Sequence, residues 1–331
     1  MLGAVRTHDV HGVALGIKAE AASLLDCAEE CLGRFPVCAA PRSDCALSLC
    51  YGTAPAADGP PPPGTQEVWR GVLPNGLDVV HFAGGGIEET HLPGLACIRA
   101  DLPNRQATIR VAPGQEWCVS RGCVVPALCL LLGQLGQHIV HAACLGFRTG
   151  DRSGAILISG PSGAGKTTAS LALARSGMEL HADDVTFLRR RGEEVLAWGV
   201  LLACKVHRRT FDMLPWLRSL PRRPAATVAE EIVDVAGTVG AAEPALLVPS
   251  AVFFLGERTG SDHEIRPLDK VEAMTRLTRE NVRAGRRQLY GQADGAFRAI
   301  GRLVAACDVF ELRVGPALGS LAGAIGAAME R

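Results

Sequence analysis

Eight consecutive residues, Gly160-Pro161-Ser162-Gly163-Ala164-Gly165-Lys166-Thr167, satisfy the pattern G-x-x-x-x-G-K-[ST] at every fixed position. Glycines at these spacings let the backbone curl until successive N–H groups face one point. A helix that begins there adds the positive end of its dipole. The chemistry is the cradling of a triphosphate: Lys166 reaches the β- and γ-phosphates and the Thr167 hydroxyl helps to hold Mg²⁺. We assign Gly160, Ser162, Gly163, Ala164, Gly165, Lys166, Thr167 and Thr168 to a bound nucleotide, expected to be ATP with Mg²⁺.

Two acids follow a short apolar run beyond the loop, Asp183 and Asp184. A phosphate loop needs one carboxylate for the metal. A second could accept the proton of an attacking hydroxyl. Adjacent residues on an extended strand point to opposite faces, so the two roles require a bend at this point. His141, just ahead of the loop strand, could sit beside the carboxylates and influence their protonation. His138, three residues earlier, reads as structural.

These side chains need a strand before the loop and a helix after it. Ala155–Ser159 has the first character. Thr168–Ser176 has leucines and alanines at helical spacing and stops at Gly177. Around this core the pattern predicts a helix over Pro126–Gln137, a strand through Ile139–Ala143, and a short strand over Glu179–Ala182. A hairpin is expected from Val185–Arg190 and Val195–Val200, then a strand over Trp198–Ala203 leading into the basic stretch Lys205–Arg209. Further on come a strand in Leu246–Leu255, an amphipathic helix over Val271–Arg283 and a small-residue helix over Ala317–Met329. Toward the N-terminus, Ala19–Leu32 is the best helix candidate. A proline-rich linker or exposed loop covers 53–66. Short strands separated by Pro74-Asn75-Gly76, Gly84-Gly85-Gly86 and Pro93-Gly94 make that portion β-rich. The expected division is an N-terminal α+β lobe over 1–124 and a phosphate-binding domain over 125–331.

Composition narrows the partners. The 331 residues carry no formal net charge; up to residue 150 there are 10 basic and 13 acidic residues, and beyond it 24 and 21. That bias is too weak for a nucleic-acid surface. The apolar run Val124–Leu135 is too short to span a bilayer, and the opening residues do not read as a secretory signal. We therefore expect no nucleic acid, no membrane and a cytoplasmic setting. Of 12 cysteines, ten precede residue 150 and none forms a C-x-x-C pair. The nearest spacings, such as Cys27/Cys31 and Cys118/Cys123, lack the tighter C-x-x-C pair completed by histidine that marks many structural zinc sites, so the thiols read as small, reduced and buried.

Taken together, His141-Ala142-Ala143, Gly154 through Thr168, and Gly177-Met178-Glu179-Leu180-His181-Ala182-Asp183-Asp184 resemble the catalytic core of the HPr kinase/phosphorylase-like family. The resemblance covers about 125–310. It implies an α/β fold with a mixed β-sheet carrying the P-loop, as shared with ATP-dependent phosphoenolpyruvate carboxykinase, plus a smaller β-rich N-terminal lobe. It also implies a kinase that transfers the γ-phosphoryl group to a hydroxyl acceptor, most simply serine of a peptide or protein; the residues leave open as alternatives a small-molecule hydroxyl kinase and a nucleotide-dependent switch or assembly ATPase that makes no phosphorylated product. By the likeness Asp183 is the base, Asp184 a magnesium partner and His141 a tuner of Asp183. The glycine-rich signature of the bifunctional enzymes is missing downstream, where only Glu230 and Glu231 lie in about the right stretch. This makes the chain more similar to the divergent kinases of that family. Acceptor recognition and homo-oligomerisation are the two roles open to the N-terminal lobe.

Overall fold

The computed structural model describes residues 4–38, 43–56, 59–72, 77–149, 152–201, 203–225, 229–235, 244–281 and 293–330. The fold is mixed α/β and divides into two compact units, one of Met1–Gln137 with Ala284–Ala293 and one of His138–Arg283 with Asp294–Arg331. The division between the compact units falls at Gln137/His138. The reason is the helix at Val124–Gly133, which packs on strands of the first unit.

In the first unit the strands are β1 (Ala4–Val10), β2 (Val13–Ala19), β3 (Cys45–Tyr51), β4 (Gln66–Val72), β5 (Asp78–Gly84), β6 (Ile87–Leu92), β7 (Ala96–Asp101) and β8 (Gln106–Val111). They form one sheet in the order β1-β2-β3-β8-β7-β6-β5-β4. Helix α1 (Ala22–Leu32) links β2 to the parallel β3, and α2 (Val124–Gly133) lies against β7 and β8. Residues alternate along β2, with Val13, Leu15, Ile17 and Ala19 all buried, so one face of the strand supplies core. Because β3 is central and β4 is at the far edge, the proline-rich segment between them must traverse β8, β7, β6 and β5. It is a crossing connection inside the unit, not a linker between domains. The expected hairpin β4–β5 is present as an antiparallel pair, while its Pro74-Asn75-Gly76 turn lies outside the described residues. Helix α2 stops four residues before the expected end. Gly136, at φ +74°, takes the left-handed turn that lets the chain leave as a strand.

The second unit begins with β9 (Gln137–Val140), β10 (Ala142–Thr149), β11 (Arg152–Ser159), α3 (Lys166–Arg175), β12 (Glu179–Ala182), β13 (Thr186–Arg191) and β14 (Glu194–Gly199). It continues with β15 (Ala203–His207), α4 (Arg208–Met213), β16 (Arg222–Pro224), β17 (Glu230–Asp234), β18 (Pro249–Leu255) and β19 (Glu264–Pro267). Helices α5 (Lys270–Asn281) and α6 (Ala293–Ala306), β20 (Asp308–Arg313) and α7 (Leu321–Met329) complete it. The expected end of α5 at Arg283 lies outside the described residues. The main sheet runs β12-β10-β11-β18-β20-β19. It is mixed: β11 is parallel to β18 and antiparallel to β10.

Strand β11 is apolar without alternation because both of its faces are covered. Ile156 and Ile158 join a core with α3 and α7, including Leu171, Leu173, Leu321 and Ile325. Ala155 and Leu157 join an opposite core with α5 and α6, including Leu277, Ile300 and Leu303. A three-stranded sheet, β14-β13-β9, adds to that second side, and β15-β17-β16 forms another. The expected strand over Trp198–Ala203 is really the end of β14 and the start of β15. Fully buried Trp198 on β14 stacks on Phe187 of β13, with centroids 4.3 Å apart. Trp198→Ala is expected to cost about 3–5 kcal/mol in urea unfolding followed by circular dichroism, since both the transfer energy and the ring contact are lost.

Candidate functional site

The loop between β11 and α3 has the backbone its sequence requires. Gly160, Gly163 and Gly165 take φ values of +155°, +82° and +102°, a region that side-chain-bearing residues rarely enter. A Cβ at Gly160 would also lie 3.2 Å from Leu255 Cβ on the neighbouring β18. Gly165 sits at the start of α3, whose first internal bond is Ala169 N to Gly165 O at 2.9 Å. The first-turn amides of α3 therefore open onto the loop. Ser162 and Gly163 are exposed at its crest, and Ala164 is half-buried. Lys166 is buried and folds back across the loop, its Nζ donating to the carbonyls of Gly160 at 2.8 Å and Pro161 at 3.3 Å. Thr168 follows in the first turn of α3. Its hydroxyl turns into the core and meets Thr210 of α4 at 2.9 Å, leaving only its main chain for the cradle.

The acidic pair sits at a switch between two sheets. Strand β12 belongs to the main sheet and β13 to the three-stranded one, and Asp183-Asp184-Val185 is the crossing between them. His141 occupies the corresponding crossing from β9 to β10. The Thr186 hydroxyl donates to the Ala142 carbonyl at 2.8 Å and ties the two crossings together. This is the bend that two adjacent aspartates need for separate tasks.

Asp183 faces α3. Its Oδ2 accepts from the Thr167 hydroxyl at 2.9 Å and its Oδ1 from Ser170 at 3.0 Å. Burial, reinforced by the Asp184 charge, pushes its pKa up to about 6, against hydrogen bonds from Thr167, Ser170 and Cys204 that favour the anion. Asp184 is 42% exposed at its side chain and its Oδ1 lies 2.5 Å from His141 Nε2. The expected pairing of His141 with Asp183 is thus corrected: the bend turns Asp183 toward the helix and Asp184 toward the histidine.

The main chain of His141 is fixed from two sides. Asn281, at the end of α5, accepts from its N–H at 2.5 Å, and the Ser159 hydroxyl donates to its carbonyl at 3.4 Å. Sequence reasoning missed Asn281, Ser170 and Cys204. Only Ser170 carried a signal, lying one helical turn beyond Thr167 on the same face. His138 stands apart from this group on β9, with burial holding its imidazole below the usual range. In and around the basic stretch, Arg208 and Arg209 are exposed. Lys205 pairs with Glu230 at 3.2 Å, Glu231 pairs with Arg222 at 3.2 Å, and His207 caps α4.

The donor set suits a hard cation and a polyphosphate. The Thr167 hydroxyl and the Asp183 carboxylate meet at one end of the loop, and Asp184 follows on the same crossing; oxygen donors of this kind are those magnesium prefers. Amides, the helix end and Lys166 supply positive potential along the rest. All twelve cysteines are free and nine are buried, and no helix among the described residues is long and apolar enough to cross a membrane. The sequence matches no protein-family model, and no curated protein matches it either.

Proposed function

We propose that the chain is a Mg²⁺/ATP-dependent phosphotransferase that moves the γ-phosphoryl group to a hydroxyl acceptor, most simply the serine of a peptide or protein or else a small alcohol. The observation that carries the reading is the His141–Asp184 contact placed beside a complete phosphate loop. A loop that only bound nucleotide would have no use for a partly exposed carboxylate backed by an imidazole. On this reading the unit beginning at His138 is a P-loop kinase core of the HPr kinase and phosphoenolpyruvate carboxykinase type. Its mixed sheet, with an antiparallel strand directly beside the loop strand, agrees with that type better than with a motor-ATPase core.

The chain's residues then divide as follows. Loop amides and Lys166 bind the triphosphate, with phosphate oxygens replacing the Gly160 and Pro161 carbonyls as acceptors for Nζ. Thr167 and Asp183 hold magnesium, which offsets phosphate charge when bound. Asp184 takes the proton of the acceptor hydroxyl, and His141 stabilises and orients that carboxylate. The hydroxyl oxygen forms the new P–O bond, the bond from γ-phosphorus to the bridging oxygen breaks, and ADP leaves. This exchanges the two aspartate roles implied by the resemblance, because geometry puts Thr167 on Asp183.

The decisive measurement is the fate of γ-³²P from ATP incubated with Mg²⁺, the protein, and libraries of serine peptides and small alcohols. Label is expected in an alkali-labile or phosphatase-sensitive ester. Release of inorganic phosphate alone, across all acceptors, would identify a nucleotide-driven switch and remove the kinase assignment.

A further inference from the structure

The first unit holds a second group of ligand-type side chains, far in sequence from the phosphate loop. Glu89 and His91 project from the same face of β6, two residues apart. Cys97 on β7 stands directly opposite His91 in the antiparallel register. One oxygen joins all three: Glu89 Oε1 lies 2.7 Å from His91 Nε2 and accepts from the Cys97 thiol at 3.4 Å. The three potential donor atoms lie within 4.8 Å of one another, and all three residues are buried.

We propose that Glu89, His91 and Cys97 form a binding site for one divalent transition-metal ion of the zinc class. Thiolate and imidazole select a borderline metal over Mg²⁺ or Ca²⁺, which prefer oxygen. Tetrahedral zinc, with Zn–S of about 2.3 Å and Zn–N or Zn–O of about 2.0–2.2 Å, places donors roughly 3.3–3.8 Å apart. The oxygen–sulfur distance already fits. The oxygen–nitrogen distance opens when the metal replaces the bridging proton. Binding releases the thiol proton to solvent and leaves the imidazole proton on Nδ1, so the site becomes Glu⁻/Cys⁻/His⁰ around a dication.

The surroundings are those that orient a ligand carboxylate. Arg99, opposite Glu89 on β7, donates to Oε2 at 2.7 Å and leaves Oε1 for the cluster. The His91 ring rests on Phe82 with centroids 4.8 Å apart. Both strands lie inside the eight-stranded sheet, so the donors are held by paired backbone on either side. Three protein donors leave a fourth position for water or another ligand. The cysteine spacing alone gives no hint of such a site, because its partners are not cysteines.

The test uses the full chain stripped with chelator and titrated with Co²⁺. One equivalent is expected to produce tetrahedral visible bands and a near-ultraviolet thiolate-to-cobalt band. One equivalent of Zn²⁺ should abolish both, and excess Mg²⁺ should not. Cys97→Ser should lose the thiolate band, while Cys204→Ser, which removes the thiol beside Asp183, should retain it. Should Cys97→Ser fail to fold, Arg99→Lys keeps every donor and is expected to weaken Co²⁺ binding about tenfold. The proposal is overturned by no cobalt uptake, by uptake without a thiolate band, by a band that survives Cys97→Ser, or by an affinity unchanged in Arg99→Lys.

Discussion

Replacing Asp184 with Asn is expected to lower kcat for phosphoryl transfer by about 10²–10⁴, while nucleotide affinity stays within about threefold. The substitution preserves shape but removes the carboxylate that, in the proposed mechanism, accepts the hydroxyl proton. Asp184 is 42% exposed at its side chain, and the Thr167 hydroxyl is held by Asp183, so the cradle is expected to survive its loss. The experiment separates single-turnover transfer from equilibrium binding of a fluorescent nucleotide. Transfer at the wild-type rate in folded Asp184→Asn would remove that residue from proton transfer. His141→Gln should reduce kcat less and shift its pH profile, because in the proposed mechanism the imidazole acts through the carboxylate rather than on the acceptor.

Asp183→Asn is expected to abolish the Mg²⁺-dependent part of nucleotide affinity and, in the nucleotide-free protein, to change how stability depends on pH. Burial raises the native Asp183 pKa from 3.8 to about 6. Between those values the folded chain binds more protons than the unfolded one, so this group makes stability fall as pH rises from about 4 to 6. Its contribution is fully favourable below pH 4 and lost above pH 6. With two pH units at about 1.4 kcal/mol each, the penalty at pH 7 is at most roughly 3 kcal/mol. Asp183→Asn should therefore raise the unfolding midpoint at pH 7 and leave it nearly unchanged at pH 4. On the proposed reading, nucleotide binding with Mg²⁺ runs the other way: it needs the anion and should weaken as pH falls below about 6, a dependence absent from the variant. Urea unfolding across pH 4–7.5 and calorimetry at the same pH values test both signs. Identical pH slopes in wild type and variant would show that Asp183 is not the titrating group.

The local parts of this site are legible from sequence because they are encoded by contiguous residues. The strand, glycine turn and helix around Lys166 follow from G-x-x-x-x-G-K-T and its flanks, and β11, α3 and β12 lie where periodicity puts them. Which aspartate meets His141 is not legible. It depends on the direction of one bend between β12 and β13, and on strand pairings that link residues 43 positions apart. Asn281 reaches His141 across 140 positions, with no motif to announce it. The same holds in the first unit, where Cys97 meets His91 only through the β6–β7 register. The end of α2 escapes the sequence for a different reason: leucine-rich spacing continues past Gly133, and the backbone turn at Gly136 decides against it.

The two crossings at His141 and Asp183–Asp184 place the catalytic candidates at the root of the β13–β14 hairpin, whereas its tip, Arg191–Glu194, is exposed. Lengthening or re-lettering that tip leaves the root, the phosphate loop and both cores unaltered. If the proposed function holds, descendants of this chain could therefore change what approaches the hairpin while inheriting the loop and the two crossings whole, a separation that lets partner choice drift faster than chemistry.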